Sequence, residues 1–309
     1  MSNSNLNKAK SVKNDEFYTR LEDIEKEMVY YKEHFKNAVV YCNCDDPKQS
    51  NFWRYFHINF KNLGLKKLIS THINLNGLNS YMMEYTGGND NDILDGIIIP
   101  LQGNGDFRSE ECIKILNDAD IIVTNPPFSL FREYLAVCIK NKTKFLVLGN
   151  MNISFSKEIF PLFQNKKIWY GVSLNSGSIS FITPKKDMCS SFGCIRWFTN
   201  LKHGFAPKAL ILTNKYNAKD YPKYDNYDAI EVSRIKNIPY DYNGIMGVPI
   251  TFLDKWNSNQ FEIVGSTGYQ TNNKMKSTHP RTKHALLKGK ELYSRIFIKR
   301  KKNNFFKKT

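Results

Sequence analysis

Apolar, β-branched runs of four to six residues recur through the first half of the chain, separated by segments of helical periodicity. The runs are 38–42 (AVVYC), 68–71 (LIST), 96–100 (GIIIP), 119–124 (ADIIVT) and 144–149 (KFLVLG); the helical segments are 52–60, 110–116 and 130–140. Strands this apolar need cover on both faces, and helices alternating with them supply it, which specifies a parallel sheet with right-handed crossovers. The expected fold class is α/β, with a doubly wound, mostly parallel sheet that binds a nucleotide-like ligand at the carboxyl ends of its strands.

A helix is expected before the first run. Thr19 and Glu22 stand at capping-box spacing, and Leu21, Ile24, Met28, Tyr31 and Phe35 recur at helical intervals. After Asn150 the rhythm changes. Residues 157–163 read as a last helix, 167–171 and 178–183 as a β pair, and 210–213 and 250–253 as short β runs. A boundary near Pro184 divides the chain into a ligand-binding catalytic domain, 1–184, and a recognition region, 185–309.

Asn125-Pro126-Pro127-Phe128 follows the 119–124 strand directly, at the mouth of the expected sheet. These residue types suit methyl transfer to an amine conjugated with an aromatic ring. The lone pair of such an amine is delocalised, so attack requires it to be drawn toward sp3 geometry. The Asn125 side-chain oxygen and the Pro126 carbonyl can accept its two hydrogens. Consecutive prolines fix φ and hold that carbonyl rigidly, and Phe128 offers a flat face for a base that has left its duplex. Positioning carries most of the rate, and no strong general base is needed. The competing reading is a rigid Pro-Pro turn that merely closes a strand.

The cofactor side is read from four places. Asp45-Asp46-Pro47 follows the first strand, where a carboxylate can meet a positive sulfonium or an amino group, or can simply cap the next helix. No Gly-rich loop stands there, which suits a ligand without phosphates and excludes a nicotinamide dehydrogenase. Asp106-Phe107 follows the third run and can hold an adenine by its amine and ring. Tyr18 and Thr19 can hydrogen-bond the cofactor from the N-terminal side, although capping explains Thr19 equally well. After the second strand, His72-Ile73-Asn74 lacks the acidic residue that usually takes ribose hydroxyls, and Asn74 is the neutral substitute.

The net charge of +16, from 45 Lys+Arg against 29 Asp+Glu, points to a polyanionic partner. An AT-rich genome would also inflate Lys, and only nine of the 45 are Arg. Arg108, Arg132, Lys202 and Lys208 are candidate phosphate contacts, each explained as well by solvation. The six Cys form no CxxC pair and the His form no HExxH, so no metal site is expected and a reducing cytoplasm fits. The polar N-terminus lacks a signal-peptide core and no run is long enough to span a membrane. The basic end, 298–309, reads as a solvated tail or a DNA-backbone contact.

Taken with Asp15-Glu16-Phe17-Tyr18-Thr19, Tyr41-Cys42-Asn43-Cys44-Asp45-Asp46-Pro47, Gly105-Asp106-Phe107-Arg108, Gly247-Val248-Pro249 and Tyr293-Ser294-Arg295-Ile296, the Asn125 motif resembles the adenine-specific methyltransferases related to the EcoRI modification enzyme, over nearly the full chain. The resemblance implies a Rossmann-like, class I fold binding S-adenosyl-L-methionine, without a metal. It implies methyl transfer to N6 of a flipped-out adenine in double-stranded DNA. It also implies a role in restriction-modification or phage-type DNA modification. A cognate restriction endonuclease can accompany such an enzyme without a stable complex, and a monomer is expected. The rival readings are an amino-methyltransferase of ribosomal RNA or of protein glutamine, and a non-catalytic DNA-binding protein.

Overall fold

The computed structural model describes residues 18–73, 80–175, 177–182, 192–267, 275–279 and 282–301. The readings that rest on 15–17, on Asn74, on Pro184 itself and on 302–309 lie outside the described residues. The chain divides into two compact units, one of Met1–Asn150 with Tyr170–Gly204, the other of Met151–Trp169 with Phe205–Thr309.

The first unit contains β1 (Tyr18–Thr19), β2 (Val39–Cys42), β3 (Lys67–His72), β4 (Tyr81–Tyr85), β5 (Ile97–Pro100), β6 (Ile121–Thr124), β7 (Lys144–Asn150), β9 (Phe181–Ile182), β10 (Ile195–Thr199) and, beginning one residue before the unit's second segment, β8 (Trp169–Tyr170). Eight of these strands form one sheet in the order β5-β4-β3-β2-β6-β7-β10-β8. Its centre, β3-β2-β6-β7, is parallel, while β4, β5 and β10 join antiparallel. The helices are α1 (Leu21–Met28), α2 (Lys32–Phe35), α3 (Asn51–Ile58), α4 (Phe60–Leu63), α5 (Glu110–Asp118) and α6 (Phe131–Lys140). On one face, Ile24, Met28, Phe52 and Phe56 pack with Val40, Leu68, Val123, Leu148 and Trp197. Phe198 alternates with Trp197 along β10 and meets Phe131 of α6 edge-on at 5.0 Å, so the other face is covered as well. Hydroxyl caps start two of the helices: Ser50 Oγ accepts the Phe52 N–H at 3.0 Å, and Ser109 Oγ accepts that of Cys112 at 3.2 Å.

Several local expectations are corrected. Thr19 lies in β1, and the cap position of α1 is Arg20, which makes no side-chain cap bond and pairs with Asp23 instead. The helix expected to run through Phe35 breaks into α1 and α2 because the chain turns at 29–31. The 96–100 run forms no part of the parallel core: as β5 it is the antiparallel edge, with Ile97 66% exposed. The expected β pair does not form. β8 belongs to the large sheet and β9 pairs with β1. β10 lies beyond the boundary read near Pro184 and yet pairs along β7.

In the second unit, α7 (Phe160–Gln164) overlaps the expected last helix, starting three residues later and ending one residue beyond it. Strands β11 (Ile230–Glu231), β12 (Ile245–Val248), β13 (Phe261–Ser266) and β16 (Ile296–Arg300) form a sheet ordered β11-β12-β16-β13, and β14 (Leu286–Leu287) pairs with β15 (Lys290–Glu291). The run at 250–253 is part of a 3-10 helix, and 210–213 forms no strand. Inside this unit Arg295 Nε and Nη2 bond the Glu231 carboxylate at 3.0 and 2.9 Å, and Tyr224 donates its hydroxyl to the same carboxylate. Gly247 is required there, because a Cβ would collide with the Tyr224 ring and hydroxyl.

Candidate active site

The chain leaves β2 toward β3 on one side, and the later strands β6 and β7 lie on the other. Neighbouring loops therefore diverge at the carboxyl ends of β2 and β6, the switch point at which α/β sheets bind ligands. A cleft of about 160 Å³ opens there. Its walls come from the turn after β2 (Asn43, Cys44, Asp45, Asp46), from His72 and Ile73 after β3, from 105–107, and from Asn125, Pro127 and Leu130 after β6. Tyr18 and Gln49 complete it, joined by a 3.1 Å hydrogen bond.

Asp45 is the hub of these walls. Its carboxylate accepts from the Ser50 hydroxyl at 2.7 Å, from the Thr124 hydroxyl and from the Asn125 backbone N–H. Its carbonyl accepts from Ser70. The acid that the sequence pointed at the cofactor thus ties the first turn to the Asn125 turn. Burial pushes its pKa up to about 6, against the pull of those donors. Asp46 begins the next turn: its carboxylate accepts the Lys48 N–H and the Tyr81 hydroxyl, each at 3.0 Å, and stands 3.6 Å from His72 Nδ1.

Across the cleft the Arg108 guanidinium grips both Asp106 oxygens, at 2.9 and 2.7 Å, and holds that carboxyl below the usual carboxylate range. Arg108 also pairs with Glu133 at 2.9 Å and lies over the Phe107 ring, so its guanidinium has partners other than a phosphate. Phe107 is buried edge-on to Tyr134, whose hydroxyl donates to Asn43 Oδ1. That bond fixes the Asn43 amide, whose buried Nδ2 has no hydrogen-bond partner among the described residues. Pro127 gives its carbonyl to the Leu130 N–H at 3.0 Å, tightening the turn.

Of the residues read from sequence, Tyr18, Asp45, Asp46, Asp106, Phe107, Asn125 and Pro127 come together around the cleft. Thr19, Pro47 and Pro126 are buried beside it without lining it, and half-buried Phe128 packs edge-on to Phe181 at 5.7 Å. Asn43, Gln49, Ile73, Leu130 and the anchoring Thr124 were missed. The available signal was position: Asn43 follows a core strand directly, but that turn was read for its acids alone. Among the described residues no His/Cys/Asp/Glu group could hold a metal, and no helix is long and apolar enough to cross a membrane.

A parallel α/β centre with an Asn-Pro-Pro-Phe turn at its switch point is compatible with an amino-group methyltransferase. The family model described as adenine-specific methyltransferase EcoRI matches residues 5–301, and the chain belongs to that family. It is 48% identical over 290 residues to the type II methyltransferase M.EcoRI of Escherichia coli, covering 85% of this chain and 89% of that protein. It is 40% identical over 321 residues to M.MpnI of Mycoplasma pneumoniae, also named a type II methyltransferase, covering 96% of this chain and 98% of that one. M.MgeORF184P of Mycoplasma genitalium is 39% identical over 330 residues, with the same coverage. No solved structure matches the chain.

Proposed function

We propose that the chain methylates N6 of a flipped-out adenine in duplex DNA. The first unit is the class I, Rossmann-like catalytic domain for S-adenosyl-L-methionine, and the second reads the DNA. The observation that carries this reading is the Asn125 turn standing at the switch-point cleft of a chain in this family. When bound, the cofactor supplies an electrophilic methyl on a sulfonium.

The cleft suits that group. Its first turn is acidic and lacks glycine, matching a cationic ligand without phosphates. Asp106 and Phe107 offer a carboxylate and a ring to the adenine end, Asp46 and Tyr18 would hold the methionine end, and Asn43 adds a buried donor. Thr19 and Pro47 shape the wall behind them. Asn125 Oδ1 and the Pro126 carbonyl would accept the two hydrogens of the target amine and turn its lone pair toward the methyl; the new N–C bond would replace the methyl–sulfur bond, the sulfonium leaving as a neutral thioether, and one amine hydrogen would pass to water as a proton. Phe128 stacks on the extruded base. The deciding assay follows labelled methyl into unmethylated genomic DNA and separates the product nucleosides. N6-methyladenine is expected; label in ribosomal RNA or in protein instead would overturn the reading.

Gly105 tests the cleft wall separately. Its φ is +78°, and a Cβ there would come 2.5 Å from the His72 carbonyl oxygen. In Gly105→Ala the 105–107 segment must move away from 72–73, at a cost on the order of 1–3 kcal/mol. Calorimetry with the cofactor is expected to show at least a tenfold loss of affinity. An unchanged Kd together with an unchanged melting temperature would show that the approach is dispensable.

A further inference from the structure

The second unit carries a surface that the cleft does not use. Between β14 and β15 the chain turns in two residues, Lys288 and Gly289, with φ of +51° and +74°, the primed geometry that fits a twisted ribbon. Lys283, Lys288 and Lys290 on and beside this ribbon are all exposed. Just past it stands Tyr293, 90% exposed, whereas Tyr221, Tyr224, Tyr227, Phe252, Phe261 and Phe297 of the same unit are buried.

The segment is braced from below. Asn226 bonds the Leu286 N–H and the His284 carbonyl, each at 2.8 Å, and Asp225 accepts the Gly289 N–H at 2.7 Å. Tyr227 donates to the Lys283 carbonyl at 2.7 Å. Arg295, fixed by its bonds to Glu231, gives Nη1 to the Tyr293 carbonyl at 3.0 Å. A flexible loop can leave an aromatic ring in water by accident. Here five side-chain bonds, two of them from buried Asn226 and one from buried Tyr227, hold the backbone while the ring and three cations stay exposed.

We propose that this ribbon and the Tyr293 loop form a DNA-contacting surface, its lysines meeting backbone phosphates and the Tyr293 ring meeting bases. The inference rests on the DNA-methyltransferase reading above. A two-stranded ribbon fits the major groove of B-form DNA, about 12 Å wide, but not the deep, narrow groove of an RNA duplex. The lysines supply affinity that salt screens, and the ring supplies contact that salt leaves alone.

The test uses the full chain and end-labelled fragments of unmethylated genomic DNA, with binding followed by anisotropy across a salt series. The triple variant Lys283→Gln/Lys288→Asn/Lys290→Gln removes the charges, and Asn suits the positive φ at 288. Its slope of log affinity against log salt is expected to shrink by about three. Tyr293→Ala is expected to bind roughly tenfold more weakly with the slope unchanged, and Tyr293→Phe to bind as wild type. Calorimetric affinity for S-adenosyl-L-methionine should stay within about twofold in all three, since none of these residues lines the cleft. Wild-type slope and affinity in the triple and Tyr293→Ala variants overturn this proposal alone, as does equal wild-type affinity for duplex RNA. A wild-type protein that binds no DNA overturns the parent reading with it.

Discussion

Asn125→Ala is expected to lower the methylation rate by roughly 10²–10³-fold while leaving cofactor affinity within a few fold. The side chain stands on the turn after β6, at the cleft, and its proposed part is to accept a hydrogen from the target amine as the new bond forms. Such a contact gains strength only as the amine becomes cationic, so its removal falls on kcat rather than on ground-state binding. Ala also keeps the backbone N–H that Asp45 accepts, so the fold should hold. Asn125→Asp keeps an acceptor oxygen at the same place and is expected to retain part of the rate. Single-turnover transfer to DNA, beside calorimetry of the cofactor, measures both quantities. Equal losses in the Ala and Asp variants would remove the acceptor role from the mechanism.

The second large effect is a dependence on pH that runs in opposite directions for rate and stability. Asp45 is wholly buried, with a carboxyl pKa near 6 against an ordinary value of 3.8. Between those values the folded chain holds a proton that the unfolded chain releases. This group's contribution to stability is therefore fully present at low pH and is lost as pH rises through about 6. The loss is on the order of 3 kcal/mol above that point. The ionised carboxylate is nevertheless the form that accepts from Thr124, Ser50 and the Asn125 N–H together. Protonation requires one hydroxyl to turn round and weakens the hold on the Asn125 peptide. Methylation is therefore expected to fall roughly tenfold with an apparent pKa near 6 as the medium is acidified. In Asp45→Asn that acid limb should vanish, with kcat reduced several-fold at all pH and a melting temperature at pH 8 no lower than wild type. Asp46 and the thiols of Cys42 and Cys44 also face Asp45, and burial pushes both thiols up, so they stay protonated through this range. An acid limb persisting in Asp45→Asn would rule out Asp45 as its origin.

The chemistry proposed for the turn after β6 is legible because four adjacent residues would supply it: an amide, two fixed φ angles and a ring. The positions of the core strands were legible for a similar reason, since β-branched runs report burial locally. The isoleucines of β5 show where that signal fails. Their run is as apolar as β6, but it pairs antiparallel at the sheet edge and stays exposed, because composition records how apolar a segment is and not which neighbour it meets. Thr19 at capping-box spacing failed likewise: β1 found a partner in β9, more than a hundred and sixty residues away, and took Thr19 out of the helix start.

The reaction class and the alternation of strand and helix were readable from the chain alone, because both rest on residues close together in it. The order of the strands, and the bracing of the second unit's ribbon by Asp225 and Asn226, depend on contacts between distant parts of the chain. Folding also makes Asp45, which lines the cleft, an anchor of the Asn125 turn. That last bond joins Asp45 to Thr124 across 79 residues. Hydrogen bonds and packing act over a few ångströms of space, and spacing along the chain carries no record of which distant groups folding will bring that close.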